Sequence, residues 1–193
     1  MIKECFPLPI YQVELDNPKV LEDWLAVHAD LKSQNKFQFK ENWTTHRLSD
    51  PTFKESLITT YQLDEFKKEV TKHLEIYLKG LDFNNPCWWK IVACWMTSYE
   101  KNQYAHIHNH SPSDISGCYY VKSNSKDGSI FFMNPNRIMS STLVYRTLPD
   151  RLFVKPKPGT LLLFPGWLDH GVEPNKTDDE RVSVAFNIDF YRE

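Results

Sequence analysis

Two segments, Tyr104-Ala-His-Ile-His-Asn-His-Ser111 and Phe164-Pro-Gly-Trp-Leu-Asp-His-Gly-Val172, decide how this chain is read. Four of its seven histidines lie in them: His106, His108, His110 and His170. Side chains two apart on an extended strand point to the same face. A His-x-His pair therefore presents both imidazoles together. A histidine from a distant strand can close a facial set of nitrogens around one metal ion. The pattern predicts a mononuclear metal centre inside a β-barrel. By spacing alone the first pair is either His106 with His108 or His108 with His110, and in the second case Asn109 points away.

The surrounding chain supports a β-rich host. It has 193 residues, enough for one domain with a sizeable core. Aromatic residues reach 14%, which favours strands with bulky inward side chains. A formal net charge of -2 gives no broad case for a nucleic-acid or membrane partner. The four cysteines show no Cys-x-x-Cys spacing and are read as reduced, as in a cytoplasmic protein. The first residues lack the apolar run of a signal peptide. No stretch reaches the length of a membrane span.

Phe6–Leu15 reads as a strand. Asn17-Pro18 then opens a helix, Asn17 as cap and Pro18 at the first helical position. Leu21, Trp24, Leu25, His28 and Leu31 follow at helical spacing. Residues 33–60 are polar, with a short strand at Asn42–Thr44 and a turn at Ser49-Asp50-Pro51. A second helix begins at Asp64 as cap, carries Phe66, Val70, Leu74 and Tyr77 on one stripe, and ends at Gly80. From Cys87 the texture becomes β. Strands are predicted at Trp88–Tyr99, Ser116–Lys122, Ser129–Met133, Leu152–Lys155, Thr160–Phe164, His170–Glu173 and Val182–Tyr191. Helices followed by many short strands give a sandwich or barrel buttressed by helices.

Three neutral imidazoles leave a divalent ion with its full charge and open positions. Such an ion favours anionic ligands, which a dicarboxylate cosubstrate can supply. A hairpin about Asn175-Lys176 would set Arg181 opposite His170. Arg181, Ser183, Ala185 and Asn187 then share one face. An inward guanidinium beside a metal suits a carboxylate, which it can grip with two hydrogen bonds. Ser183 and Tyr120 can add hydroxyls to the same carboxylate. Trp95 and Trp167 read as core. His28, His46 and His73 read as surface or core residues. Asp114 and Asp169 are the carboxylates nearest to hand as further metal ligands.

Beyond these local readings, the chain resembles the 2-oxoglutarate/Fe(II)-dependent dioxygenases of bacteria and phages, relatives of the prolyl hydroxylases. The resemblance runs through Phe6-Pro-Leu-Pro-Ile-Tyr11, Trp95, His108-Asn-His110 and Ser116-Gly-Cys-Tyr-Tyr-Val121. It continues in Pro158-Gly-Thr-Leu-Leu-Leu-Phe-Pro-Gly-Trp-Leu-Asp-His170, Glu173-Pro-Asn175 and Glu180-Arg-Val-Ser-Val-Ala-Phe-Asn187. It is strong in the C-terminal half and weak in the helical half. It implies a mainly β fold with flanking α-helices, built as a double-stranded β-helix (jelly-roll, cupin-like) barrel. One dioxygenase domain over 1–193 would carry a strand and buttressing helices in 1–85 and the β-helix core with the metal site in 86–193.

By position, the resemblance implies that His108, His110 and His170 hold Fe(II) and that Arg181 binds the distal carboxylate of 2-oxoglutarate, with Ser183 and Tyr120 beside it. It also favours His108/His110 as the first pair. The cofactors would be Fe(II), 2-oxoglutarate and O2, and the products succinate, CO2 and a hydroxylated peptidyl (prolyl-like) or small-molecule substrate. Where the wider superfamily has a carboxylate before the distal histidine, this chain has His110. A three-histidine site also suits a cosubstrate-free oxygenase or a zinc hydrolase of cupin-like fold. A non-enzymatic β-barrel binding module is the third reading. Arg181 separates the first two readings, because a cosubstrate-free metal site needs no carboxylate anchor, whereas the binding module predicts no tight metal binding and little effect of His170→Ala. Residues 33–60 and the loop Asn134–Arg146 are expected to set the substrate.

Overall fold

The computed structural model describes residues 8–39, 45–50, 52, 54, 56–136, 143 and 149–192. The start of the predicted first strand (with Cys5), the strand expected at Asn42–Thr44, Pro51, and most of the loop Asn134–Arg146 lie outside the described residues.

The fold is mainly β, with two antiparallel sheets and three helices among the described residues. In chain order it runs β1 (Tyr11–Glu14), α1 (Pro18–Ser33), β2 (Gln38–Phe39), β3 (Arg47–Leu48), α2 (Leu57–Thr60), α3 (Asp64–Gly80) and β4 (Cys87–Tyr99). Then follow β5 (Ala105–His108), β6 (Ile115–Lys122), β7 (Ile130–Met133), β8 (Arg151–Val154), β9 (Thr160–Pro165), β10 (His170–Val172) and β11 (Arg181–Arg192). The larger sheet has seven strands in the order β1-β9-β6-β11-β4-β3-β2, and the smaller has four in the order β5-β10-β7-β8. This is the jelly-roll, double-stranded β-helix arrangement.

Alternation along β11 divides the molecule. Val182, Val184, Phe186 and Ile188 face the helices and are fully buried with Val20 and Trp24 of α1 and Phe66, Val70 and Leu74 of α3. Phe66 meets Trp24 edge-on at 5.1 Å and Phe186 at 5.7 Å. The other face of the sheet meets the smaller sheet across Cys118, Tyr120, Phe132, Leu162 and Phe164. Gly117 lies directly beneath the Phe186 ring, where an added Cβ would come within 2.0 Å of Cζ.

Both long helices form where their apolar spacing and Pro18 place them. Their caps differ from expectation. The Asn17 side chain makes no capping bond; its Nδ2 donates to Glu69 Oε1 at 3.0 Å and ties α1 to α3. Asp64 is the first helical residue rather than the cap, and with Glu65 it sets negative charge against the helix N-terminus.

The predicted hairpin between His170 and Arg181 does not form. β10 pairs with β5 and β7 in the smaller sheet, whereas β11 pairs with β4 and β6 in the larger one. The intervening segment crosses between sheets and is pinned by Asn175, which is fully buried. Its Nδ2 donates to the Tyr99 and Asp179 carbonyls at 3.1 and 2.7 Å, and its Oδ1 accepts from the Thr177 amide at 2.9 Å. Those bonds make a compact Asx turn and release β11 to fill the centre of the larger sheet.

Glu180, just before β11, faces the helix side. Its carboxylate accepts from Lys32 Nζ at 3.0 Å and Ser98 Oγ at 2.7 Å and lies 3.3 Å from His28 Nε2. Those partners, opposed by partial burial, hold its pKa well below the usual carboxylate range.

Candidate metal centre

His170 pairs directly with His108 across β10 and β5. His110 lies just past β5, held by its backbone amide donating to the Gly166 carbonyl at 2.7 Å. Gly166 in turn packs so tightly on the neighbouring loop that a Cβ would fall 2.0 Å from the Ser113 carbonyl oxygen, so the Pro-Gly-Trp turn needs glycine there. One ring nitrogen from each of His108, His110 and His170 lies within 4.8 Å of the others. His106, the other candidate for the first pair, is exposed and packs on Tyr104; only its backbone oxygen reaches the cluster.

The remaining ring nitrogens explain the convergence. His108 Nδ1 donates to the His106 carbonyl at 2.7 Å and His170 Nδ1 to the Leu168 carbonyl at 2.8 Å. His110 Nδ1 meets Asn187 Oδ1 at 2.7 Å, and that oxygen also accepts from Ser116 Oγ at 3.0 Å. A carbonyl oxygen can only accept, so each Nδ1 carries the proton and each Nε2 keeps its lone pair. Burial, then the charge of the neighbouring histidines, pushes His110 down to about 4 and His170 well below 6.5. Burial also lowers His108. The result is three neutral donors, a set that fits a divalent transition metal. Among the described residues no carboxylate joins them. Asp114 Oδ2 accepts from the Phe190 amide at 2.8 Å, and Asp169 Oδ1 from Asn109 Nδ2 at 2.9 Å.

Beside the histidines the cavity wall is a grid of cross-strand neighbours on the inner face of the larger sheet. One row runs Leu48, Thr97, Ser183, Tyr120; the next runs Trp95, Ala185, Cys118. Arg181 pairs with Tyr99 at the far end from Asn187. All of these but Asn187 line one cavity with the three histidines. Trp95 is buried in that wall, whereas Trp167, expected in the core, is 50% exposed.

Arg181 is 1% exposed, and its guanidinium lies 4.0 Å over the Tyr99 ring. Nη1 donates to the Asp127 and Gly128 carbonyls at 2.9 and 3.0 Å, while Nη2 is buried without a hydrogen-bond partner among the described residues. Gly128 reaches its place with a φ of +88°, a conformation natural to glycine. A buried cationic donor left unmatched is costly, so this arrangement favours an anionic ligand. Thr97 Oγ1 and Ser183 Oγ lie 2.7 Å apart on the same wall. Burial pushes Tyr99 up to about 12 and Tyr120 well above 10, so both phenols stay protonated and able to donate.

His46, Thr97 and Tyr99 were not foreseen as cavity residues. Thr97 and Tyr99 follow by parity from Trp95 once β4 is registered against β11. His46 sits in a polar stretch without periodicity and carried no such signal.

The buried histidines make a pH prediction. His46 is also pushed down to about 4, chiefly by burial. As pH falls below 6.5, the unfolded chain protonates histidines that folded His46 and His110 keep neutral. The metal-free protein should therefore lose stability between pH 6.5 and 4, by on the order of 3 kcal/mol for each of the two. A Tm series across that range checks this, and a flat profile contradicts it.

A jelly roll holding a three-histidine cluster beside a buried arginine has the make-up of a metal-dependent enzyme that takes an anionic ligand. Residues 93–187 match the family model described as "Putative 2OG-Fe(II) oxygenase". The match takes in the three histidines and Arg181, and the protein is an oxidoreductase whose cofactors are Fe(II), 2-oxoglutarate and O2.

Solved structures agree on the fold. A Pseudomonas putida prolyl-4-hydroxylase is 13% identical with a TM-score of 0.67, over 96% of this chain and 94% of that one. A Trichoplax adhaerens prolyl hydroxylase, in complex with a hypoxia inducible factor peptide fragment, is 14% identical with a TM-score of 0.64, over 93% and 82%. HygX from Streptomyces hygroscopicus, with nickel and 2-oxoglutarate bound, is 13% identical with a TM-score of 0.64, over 94% and 83%. No curated protein matches the chain by sequence. Among the described residues no helix is long and apolar enough to cross a membrane.

Proposed function

We propose that His108, His110 and His170 bind Fe(II) through Nε2, and that Arg181 binds the distal carboxylate of 2-oxoglutarate with Ser183 and Tyr120. In this reading the protein uses O2 to hydroxylate a peptidyl (prolyl-like) or small-molecule substrate, one oxygen atom going to the substrate and the other to the succinate formed, with CO2, from 2-oxoglutarate. The observation that carries it is the sharing of one cavity by three lone-pair donors and the unmatched Arg181 Nη2. When bound, the iron supplies the oxidising chemistry.

The chain's own residues do the rest. Asn187 and the two backbone carbonyls fix the imidazole tautomers. Tyr99 and the carbonyls of Asp127 and Gly128 hold the guanidinium. Leu162, Phe164 and Trp95 exclude water. A single domain over 1–193 and a cytoplasmic setting accompany this reading. The peptidyl reading is favoured by the prolyl hydroxylases among the similar folds, and the small-molecule one by HygX, whose solved complexes include one with hygromycin B.

The test is anaerobic addition of 2-oxoglutarate to Fe(II)-loaded protein. A weak visible charge-transfer band, absent with either component alone, is expected. Well-folded, iron-loaded protein that shows no band and no 2-oxoglutarate binding would return the cosubstrate-free metal site to the front.

A further inference from the structure

His46 is buried, from a polar stretch that gives no reason for burying an imidazole. β3 pairs Arg47 with Ser98 and Leu48 with Thr97, and one more step of that register sets His46 beside Tyr99. On its other side Tyr99 pairs with Arg181 of β11. The three side chains thus come from three adjacent strands as one cross-strand row. The His46 and Tyr99 rings stack at 4.3 Å and 16°, and the guanidinium lies 4.0 Å over the same Tyr99 ring. Because β3 and β11 flank β4, the imidazole and the guanidinium occupy opposite faces of Tyr99.

The imidazole is itself fixed from behind. Its Nδ1 meets the Tyr104 carbonyl at 3.1 Å, and the Tyr104 amide donates to Thr45 Oγ1 at 2.7 Å. The stack therefore has one end nailed to the loop after β4. Its other end is the guanidinium, which is held through Nη1 by the Asp127 and Gly128 carbonyls and whose Nη2 has no partner among the described residues.

We infer that His46 is a positioning residue for the cosubstrate anchor: by stacking on Tyr99 it holds that ring as a rigid platform under Arg181. It lies outside the group of three metal donors and acts through Tyr99, and the inference rests on the reading of Arg181 as the 2-oxoglutarate anchor. Its distinguishing consequence is selectivity for the distal carboxylate. Loss of the stack should weaken 2-oxoglutarate, which has that carboxylate, and leave 2-oxobutyrate, which lacks it, unaffected.

The experiment is calorimetric titration of both 2-oxo acids into metal-loaded protein without O2, for wild type, Arg181→Ala, His46→Ala, His46→Phe, Tyr99→Leu and the double variant His46→Ala/Tyr99→Leu. Aromatic stacking and cation–π contacts of this kind support a roughly 3- to 10-fold loss of 2-oxoglutarate affinity in His46→Ala. Metal and 2-oxobutyrate affinities should stay level, and His46→Phe should restore most of the loss. Adding His46→Ala to Tyr99→Leu should cost little more, since both act through one ring.

Equal 2-oxoglutarate affinity in wild type and His46→Ala overturns the inference. So does parallel weakening of both acids, or a His46→Phe as weak as His46→Ala. If His46→Ala does not fold, His46→Phe and Tyr99→Leu still decide, because an unweakened Tyr99→Leu removes the platform. Wild type that binds no 2-oxoglutarate overturns the Arg181 reading, and this one with it. Normal wild-type binding that Arg181→Ala weakens and His46→Ala does not overturns this one alone.

Discussion

Arg181→Ala is expected to weaken 2-oxoglutarate binding by roughly 100-fold or more while leaving Fe(II) affinity unchanged. Truncating one partner of a desolvated, hydrogen-bonded charge pair costs about 2–5 kcal/mol. Arg181 is 1% exposed, so water screens little of that interaction. The separation from the metal is geometric. Arg181 lines the cavity from the larger sheet, whereas His108 and His170 line it from the smaller one. Arg181→Lys should recover only part of the loss. A lysine has no planar fork, and it cannot hold both the Asp127 and Gly128 carbonyls and a carboxylate in this geometry. Charge-transfer titration of the three proteins measures the effect. An Arg181→Ala protein with wild-type 2-oxoglutarate affinity would falsify the anchor.

The second large effect concerns the metal. His170→Ala should abolish Fe(II) binding and turnover, because it removes one of three donors and nothing else in the cluster can replace it. Asn187→Ala should give a graded result, about 10- to 100-fold weaker metal binding, the usual cost of losing a partner that orients a ligand histidine. Asn187 fixes His110 alone, since His108 and His170 are held by backbone carbonyls that no side-chain substitution removes. Metal titration of both variants, with circular dichroism to establish folding, separates the two roles. Equal losses in both would mean that Asn187 supports the fold of the site rather than one imidazole.

Much of this was legible before any coordinates. The alternation Arg181, Ser183, Asn187 survives as one inner face, because strand parity is a property of the backbone. The apolar stripe from Phe66 to Tyr77 is the buried face of α3 for the same kind of reason. What escaped was set by tertiary contacts. The hairpin after His170 was a local guess, and β11 is drawn to the sheet centre by partners on both sides, β4 and β6. Inward Thr97 and Tyr99 were hidden because β4 is buried on both faces near its end, which erases the alternation that would have marked them. His46 follows from a two-residue strand, too short to show any period.

One peptide bond joins Glu180, which faces α1, to Arg181, which faces the cavity. Successive side chains on a strand point to opposite sides, so the exterior helix and the interior anchor are neighbours through the backbone alone. Genetic change on the outside of the molecule is therefore not insulated from recognition within it. A substitution at Lys32 or at the buried His28 that lets Glu180 relax is expected to disturb Arg181, the proposed anion anchor. In a mutational survey, helix-surface alleles of this protein would then sort with binding alleles, and tolerance on α1 would be narrower than its exposure suggests.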